Sequence, residues 1–430
     1  MSTVLPSRPT SAPPPAGPLP GRTPRDPVRR GALTATRGFA GPVAGEANVL
    51  VPAVPAVPAG PRRRGRDGFV DGVRAVGILV VVALHWLMLE AAWDGGTLEV
   101  GNALGHGPAW VLTWLQPLPL LFFAAGAAAR YDLERGPAVP GWRFAGVRLL
   151  RMAPPVGVLV AVWAGLAVAL PRVGVPEAAV DRVARIVPQP LWFVGVQLAL
   201  LALAPVLVAA LRRWGAWRVL PLVAAAPLGV DLLRFSDELP VPGWPNLLLV
   251  WAVPFLAGLV HAGRRLRPVP PTARSERPVL ALLAAGGLAA AVVLIVVGPY
   301  PASMIGLPGE ALSNLAPPTA PVVGFAVAQV AAVLLVREPV ARWASRSRLV
   351  RWAGPRSMGL YLWHLSAVFA VAGVVLLAVG RELPEPWTWD WWLSRPAYLG
   401  AAAVVLLLLV RAAARAERMV VPRRRAVAGA

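Results

Sequence analysis

The chain has 430 residues, 57% hydrophobic and 15% charged, with a mean hydropathy of +0.61 and a formal net charge of +21. That is too apolar and too charge-poor for a soluble globular domain, which sits near half apolar and a quarter charged. Cysteine is absent, which excludes disulfides, thiolate metal sites and a cysteine nucleophile, and leaves a polytopic membrane protein with its charge packed into loops and tails.

Residues 1–66 hold 14 prolines and ten arginines. The run Val51-Pro-Ala-Val-Pro-Ala-Val-Pro-Ala is low-complexity and favours extended polyproline geometry. The segment reads as a disordered, Pro/Ala/Arg-rich cytoplasmic arm. No apolar stretch follows its first charges, so it does not read as a cleavable signal peptide. It ends in Arg62-Arg63-Arg64-Gly65-Arg66, which suits a topology anchor in contact with anionic lipid.

Ten apolar stretches follow, each near the roughly 20 residues that a bilayer core requires. They cover 73–91, 109–129, 153–170, 191–211, 218–233, 246–262, 279–297, 319–336, 357–379 and 396–416. The predicted fold is therefore all-α, with about ten transmembrane helices over 67–417 and a basic cytoplasmic tail at 418–430. The fifth stretch is short and broken by Pro221 and Pro227.

The first stretch opens Asp71-Gly72-Val73-Arg74 and reaches His85-Trp86. Arg74 and His85 are eleven residues apart. At about 100° and 1.5 Å per residue they share one helix face, about 16 Å apart along the axis. Arg74 then sits at the inner membrane surface and His85 near mid-bilayer. An ionisable residue at that depth must face the bundle interior or a polar cavity. His85 is thus either a structural, hydrogen-bonded histidine between helices or a functional one. Glu90 is on another face of the helix, so an orienting partner for His85 is expected from another span. Asp71 and Arg74 are spaced for an i, i+3 ion pair.

The loop after the second stretch reads Trp142-Arg143-Phe144, then Arg148-Leu-Leu-Arg151 and Pro154. If helical, Arg148 and Arg151 meet on one face. Paired guanidiniums at a membrane surface suit a phosphate-bearing ligand through bidentate bonds, or simple positive-inside anchoring. The remaining histidines are spread out: His106 in the first outer loop, His261 at an inner helix end beside Arg264 and Arg265, and His364 inside the ninth stretch. His106 reads as solvated, His261 as interfacial and His364 as a packed core residue. No two histidines sit at metal-ligand spacing, so no metal site is expected. Trp387, Trp389, Trp391 and Trp392 precede the last span and read as an aromatic belt at the outer interface.

The arginines orient the whole. With the N-terminus inside, only Arg172, Arg182, Arg185, Arg234, Arg381 and Arg395 fall outside, so 36 of the 42 lie at or within the cytoplasmic face. That excess sets an N-in, C-in topology. It also explains the high pI without nucleic acid, since most arginines border membrane spans.

These elements resemble the membrane acyltransferase family 3. Asp71-Gly72-Val73-Arg74 with His85 matches the family's Arg-x10-His opening. Phe122-Phe123-Ala124-Ala125-Gly126 is similar to its second-span stretch, and Arg148, Arg151 and Pro154 to its Arg-x-x-Arg…Pro segment. Leu191-Trp192-Phe193 resembles a middle-span opening, and Ser357 with Tyr361-Leu362-Trp363-His364 a late Ser-x-x-x-Tyr-Leu-x-His stretch. Two positions depart: Ala125 stands where many members carry serine, and Gln197 is the nearest polar residue where some carry glutamate.

The resemblance implies transfer of an acyl group, acetyl foremost, from cytoplasmic acyl-CoA to a hydroxyl of a glycan, lipid-linked or small-molecule acceptor. It implies a multi-pass protein of a bacterial plasma membrane, with the bilayer as partner and acyl-CoA as donor rather than a permanently bound cofactor. Arg148 and Arg151, with Arg74 nearby, would hold the CoA phosphates. His85 would act as general base or acyl carrier. The rival from composition alone is a multi-span transporter or flippase, which Pro-broken helices and intramembrane polar residues also fit.

Overall fold

The computed structural model describes residues 67–94, 97–137, 139–236, 242–267, 273–378, 380 and 383–420. The predicted arm at 1–66 and most of the basic tail lie outside them. The chain runs α1 (Gly68–Met88), a hairpin of β1 (Leu89–Asp94) and β2 (Thr97–Asn102), two 3-10 turns (Ala103–Gly105 and Gly107–Leu115), and α2 (Leu118–Arg135). Then come α3 (Gly141–Arg172), α4 (Glu177–Ile186), α5 (Leu191–Trp214), α6 (Ala216–Arg234), α7 (Asn246–Arg265) and α8 (Ala273–Val297). The last part holds α9 (Ala320–Leu335), α10 (Arg337–Arg346), α11 (Arg348–Ala353), α12 (Ser357–Gly373) and α13 (Trp389–Val420).

Among the described residues, nine helical stretches are long and apolar enough to cross a bilayer, and α9 with α10, bent by 68°, makes a tenth. Every predicted span contains a helix, so the all-α, roughly ten-span reading holds. The differences lie at the ends. The first span stops at Met88, where β1 begins; Glu90 pairs across the hairpin with Gly101. The second begins as a 3-10 turn and becomes α-helical only at Leu118, after Pro117. The stretch carrying Arg148 and Arg151 is not a loop: α3 starts at Gly141 behind Pro140, whose fixed φ suits a helix entry, and continues through Pro154 and Pro155. The fifth span is continuous, with Pro221 and Pro227 inside α6. α13 extends three residues past the predicted domain boundary at 417.

Local signals account for several ends. Asp67 caps α1 by accepting from Phe69 N at 3.1 Å. Ser347 does the same for α11, accepting from Val350 N at 3.3 Å. α5 stops at Gly215, whose φ of +78° a side chain would resist.

Side-chain bonds gather alternate helix ends into two layers. At the basic end, Tyr131 of α2 donates to Asp67 Oδ2 at 2.5 Å, and His261 of α7 is 3.6 Å from the same oxygen. His261 is buried between Phe69 and Phe123, so it is more enclosed than the interfacial position predicted. Arg148 bonds Asp132, Arg212 bonds Glu134, and Arg264 bonds Glu276 in the same layer.

At the opposite end, buried Asp231 of α6 accepts from Asn246 Nδ2 (2.8 Å), Tyr300 Oη (3.0 Å) and Ala320 N (2.7 Å). The loop between α8 and α9 is tied to the long 3-10 turn: Met304 N donates to Thr113 Oγ1 and Trp114 Nε1 to the Ala302 carbonyl. The tryptophan cluster is only partly a belt. Trp389 is exposed, but Trp391 is buried beneath Arg395, and Trp387 donates to the Ala103 carbonyl at 2.6 Å.

Candidate active site

Two cavities lie along α1. The first, about 530 Å³, is at the basic end. Arg74, Arg148, Arg151 and Arg356 line it, with Asp132, Glu417 and Gln197. Helical phase explains the grouping: Arg148 and Arg151 are one turn apart on α3, and Arg74 is in the second turn of α1. The arginines differ in their commitments. Arg148 donates to Asp132 Oδ2 (2.6 Å) and the Phe144 carbonyl (2.9 Å), with its guanidinium 3.6 Å from the Phe144 ring centroid. Arg74 makes the predicted i, i+3 pair with Asp71 at 3.0 Å, while its Nε is buried with no hydrogen-bond partner. Such an orphan donor is what a bound anion would satisfy. Arg356 is an addition that spacing did not single out; it stands one residue before Ser357 of the quoted late stretch.

The second cavity, about 460 Å³, lies toward the opposite end and contains His85. Leu84, Met88, Asn102, Thr113, Gln116 and Gln189 are among its walls, with Ile305 and Leu315 from the tied loop. Tyr361 lines both cavities. It is buried, and its hydroxyl donates to the Pro190 carbonyl at 2.6 Å.

The hydrogen-bond partner of His85 is on its own helix, while the contact expected from another span is made by the His364 ring. His85 Nδ1 is 2.8 Å from the Val81 carbonyl. A carbonyl only accepts, so Nδ1 carries the proton, and Nε2 of the neutral ring holds the lone pair. The predicted core residue His364 is fully buried and packs edge-on against His85, with ring centroids 4.8 Å apart at 78°. Its Nδ1 donates to the Tyr361 carbonyl at 2.6 Å, and its Nε2 has no partner among the described residues. Trp86 Nε1 donates to the His364 carbonyl at 2.9 Å, fixing α1 against α12 at this level. His106 is exposed, as predicted, and its Nε2 is 2.9 Å from Glu90 Oε2 of β1.

The sequence profile of the type 3 acyltransferase domain matches residues 67–411. The chain belongs to the acyltransferase-3 family. Membership makes it a membrane acyltransferase, and the match spans every cavity-lining residue of the basic end except Ala414 and Glu417. Neither a curated protein nor a solved structure matches the chain.

Proposed function

We propose that this acyltransferase moves an acyl group, acetyl foremost, from acyl-CoA held at the basic end to an acceptor hydroxyl beside His85. The observation that carries the reading is the pair of cavities meeting at Tyr361, one with four arginines and one with His85, joined by a single helix. The positive-inside excess supports a cytoplasmic basic end, on the side where acyl-CoA is made. The CoA phosphates rest on Arg148 and Arg151, with Arg74 Nε as a further donor. The pantetheine arm runs inward past Tyr361, over the roughly 16 Å that separates Arg74 from His85 along α1.

Chemistry then needs one base. His85 Nε2 takes the proton of the acceptor hydroxyl while its oxygen attacks the thioester carbonyl. The tetrahedral intermediate collapses with loss of the CoA thiolate, which takes the proton from the imidazolium. The products are an ester and free CoA. The Val81 carbonyl stabilises the imidazolium through Nδ1–H, and His364 holds the ring's orientation from its edge. Glycans, lipid-linked saccharides and small alcohols all present the required hydroxyl.

The test uses purified protein in detergent with radiolabelled acetyl-CoA and an extract of bacterial membrane glycolipids. Wild type should transfer label, and His85→Ala should lose at least about 100-fold of the rate, as removal of a general base does. Transfer that persists in a folded His85→Ala protein refutes the role of His85. No transfer or CoA binding by wild type refutes the donor assignment.

A further inference from the structure

A third cavity, about 440 Å³, is lined by α3, α4, α12, α13 and the β1–β2 hairpin. Its walls are apolar apart from Ser366, whose Oγ already accepts from Trp163 Nε1 at 3.0 Å. A sugar would find no partners there, whereas a hydrocarbon chain would. Phe369 lines both this cavity and that of His85. α4 also serves both: Ala179, Val180 and Val183 face the apolar cavity, while Arg182 and Ile186 line the other. Among the described residues, Arg182 is the only Lys, Arg, Asp or Glu lining the His85 cavity, and it makes no ion pair with any of them. The neighbouring Arg185 is 4.0 Å from Asp181.

We propose that the acceptor is a lipid-anchored anion, with its hydrocarbon chain in the α3–α4–α12 cavity, its phosphate on Arg182 and its hydroxyl-bearing head beside His85. The inference rests on the reading of His85 as the site of acylation. The order of groups follows the walls: an apolar chamber, a lone cation at the shared edge, then a chamber with Asn102, Thr113, Gln116 and Gln189 for a polar head. Charge complementarity selects an anionic lipid over a neutral one. Without that lone cation the chamber would be a place for any lipid tail.

The experiment uses the full chain in detergent, without acetyl-CoA, and two probes: phosphatidylglycerol with a diazirine at one chain end, and the matching diacylglycerol. After irradiation, mass spectrometry locates the label. Phosphatidylglycerol should label residues 162–170 and 366–377 about 10-fold more than diacylglycerol, the advantage of one charge-assisted contact. Arg182→Gln should erase that preference, Arg185→Gln should keep it, and Ala370→Trp should block labelling there by both probes.

Equal labelling by the two probes in wild type means lipid solvation only and overturns the proposal, as does a preference that survives Arg182→Gln. Acetyl transfer to water-soluble hydroxyl acceptors, with no labelling of the cavity, overturns the lipid-anchored acceptor while leaving His85 as the site of acylation. Cavity labelling in a protein that transfers no acetyl group overturns the acceptor role together with the acyl-transfer reading.

Discussion

Gly126→Ala should loosen a close helix crossing in the protein's core. α2 and α7 pass so near each other that a Cβ on Gly126 would stand 2.0 Å from the Phe255 carbonyl oxygen, and one on Gly258 2.0 Å from the Phe123 carbonyl oxygen. Both obstacles are backbone, so no rotamer change relieves them. An ordinary contact needs about 3.4 Å or more, so the helices must part by over about 1 Å. A gap of that size forfeits a quarter to a half of each dispersion contact across the seam. The seam includes Phe122 stacked on Trp251, with ring centroids 4.9 Å apart.

Overpacking of this kind costs about 3 kcal/mol. Unfolding of the purified protein, followed by intrinsic tryptophan fluorescence against heat or denaturing detergent, measures it. Because one separation relieves both clashes, Gly126→Ala with Gly258→Ala should cost much less than the two single effects added. α2 also brings Ala124, Ala125, Ala128 and Asp132 to the arginine-lined cavity, so the donor KM should rise. Gly146→Ala on α3, where a Cβ meets nothing within 4 Å, is the control. A Gly126→Ala protein as stable as Gly146→Ala would refute the reasoning.

Arg148→Lys and Arg151→Lys keep the charge but lose the planar fork, so each should raise the KM for acyl-CoA about 10-fold with kcat little changed in steady-state assays. Tyr361→Ala removes the wall shared by the two cavities; acyl-CoA hydrolysis without acceptor, followed as free thiol, should increase. Burial alone would push the Asp67 carboxyl up, but the close approach of His261 and the hydrogen bond from Tyr131 outweigh it and hold it down to about 2, against an ordinary 3.8. Its contribution is therefore complete above the ordinary value and is lost as pH falls toward the folded one, a difference of about 2 kcal/mol. Asp67→Asn should destabilise the protein near neutral pH and flatten the loss of stability between about pH 4 and pH 2, read by thermal unfolding.

The spans, their number and the alternation of charged ends were legible because each depends on local composition. So was the common face of Arg74 and His85, which needs only the helical repeat. The span ends were less so. Nothing in Trp142–Met152 separates a basic loop from the first turns of a basic helix, and the entry of α3 at Gly141 is set by Pro140, just outside that stretch. The site's second half was hidden for another reason. His364 lies 279 residues from His85 along the chain, and a buried histidine in an apolar helix looks the same whether it faces a core or another imidazole. Arg356 was obscured by five other arginines between α9 and α12, any of which could have faced a cavity. Arg182 was counted only as an exception to the charge pattern, because the cavity it lines draws its other walls from α1, α12 and loops far away in the chain.

The distance between Arg74 and His85 is useful only if α1 cannot slide or turn. Two knots prevent that. At the basic end, Asp67 caps the helix and is gripped by Tyr131 and His261, which belong to α2 and α7. At the other end, Trp86 donates to the His364 carbonyl while the ring beside it meets the His364 ring. A slip of one residue would move His85 by about 1.5 Å and 100°, taking its ring out of the cavity and off His364. Both knots would break with it. α1 therefore works as a ruler fixed at each end, with an arginine at one mark and a base at the other. This is why Asp67, remote from the chemistry, should influence the rate as well as the stability. Freed from His261 and Tyr131, the base of the helix loses the anchor that holds Arg74 in register with His85.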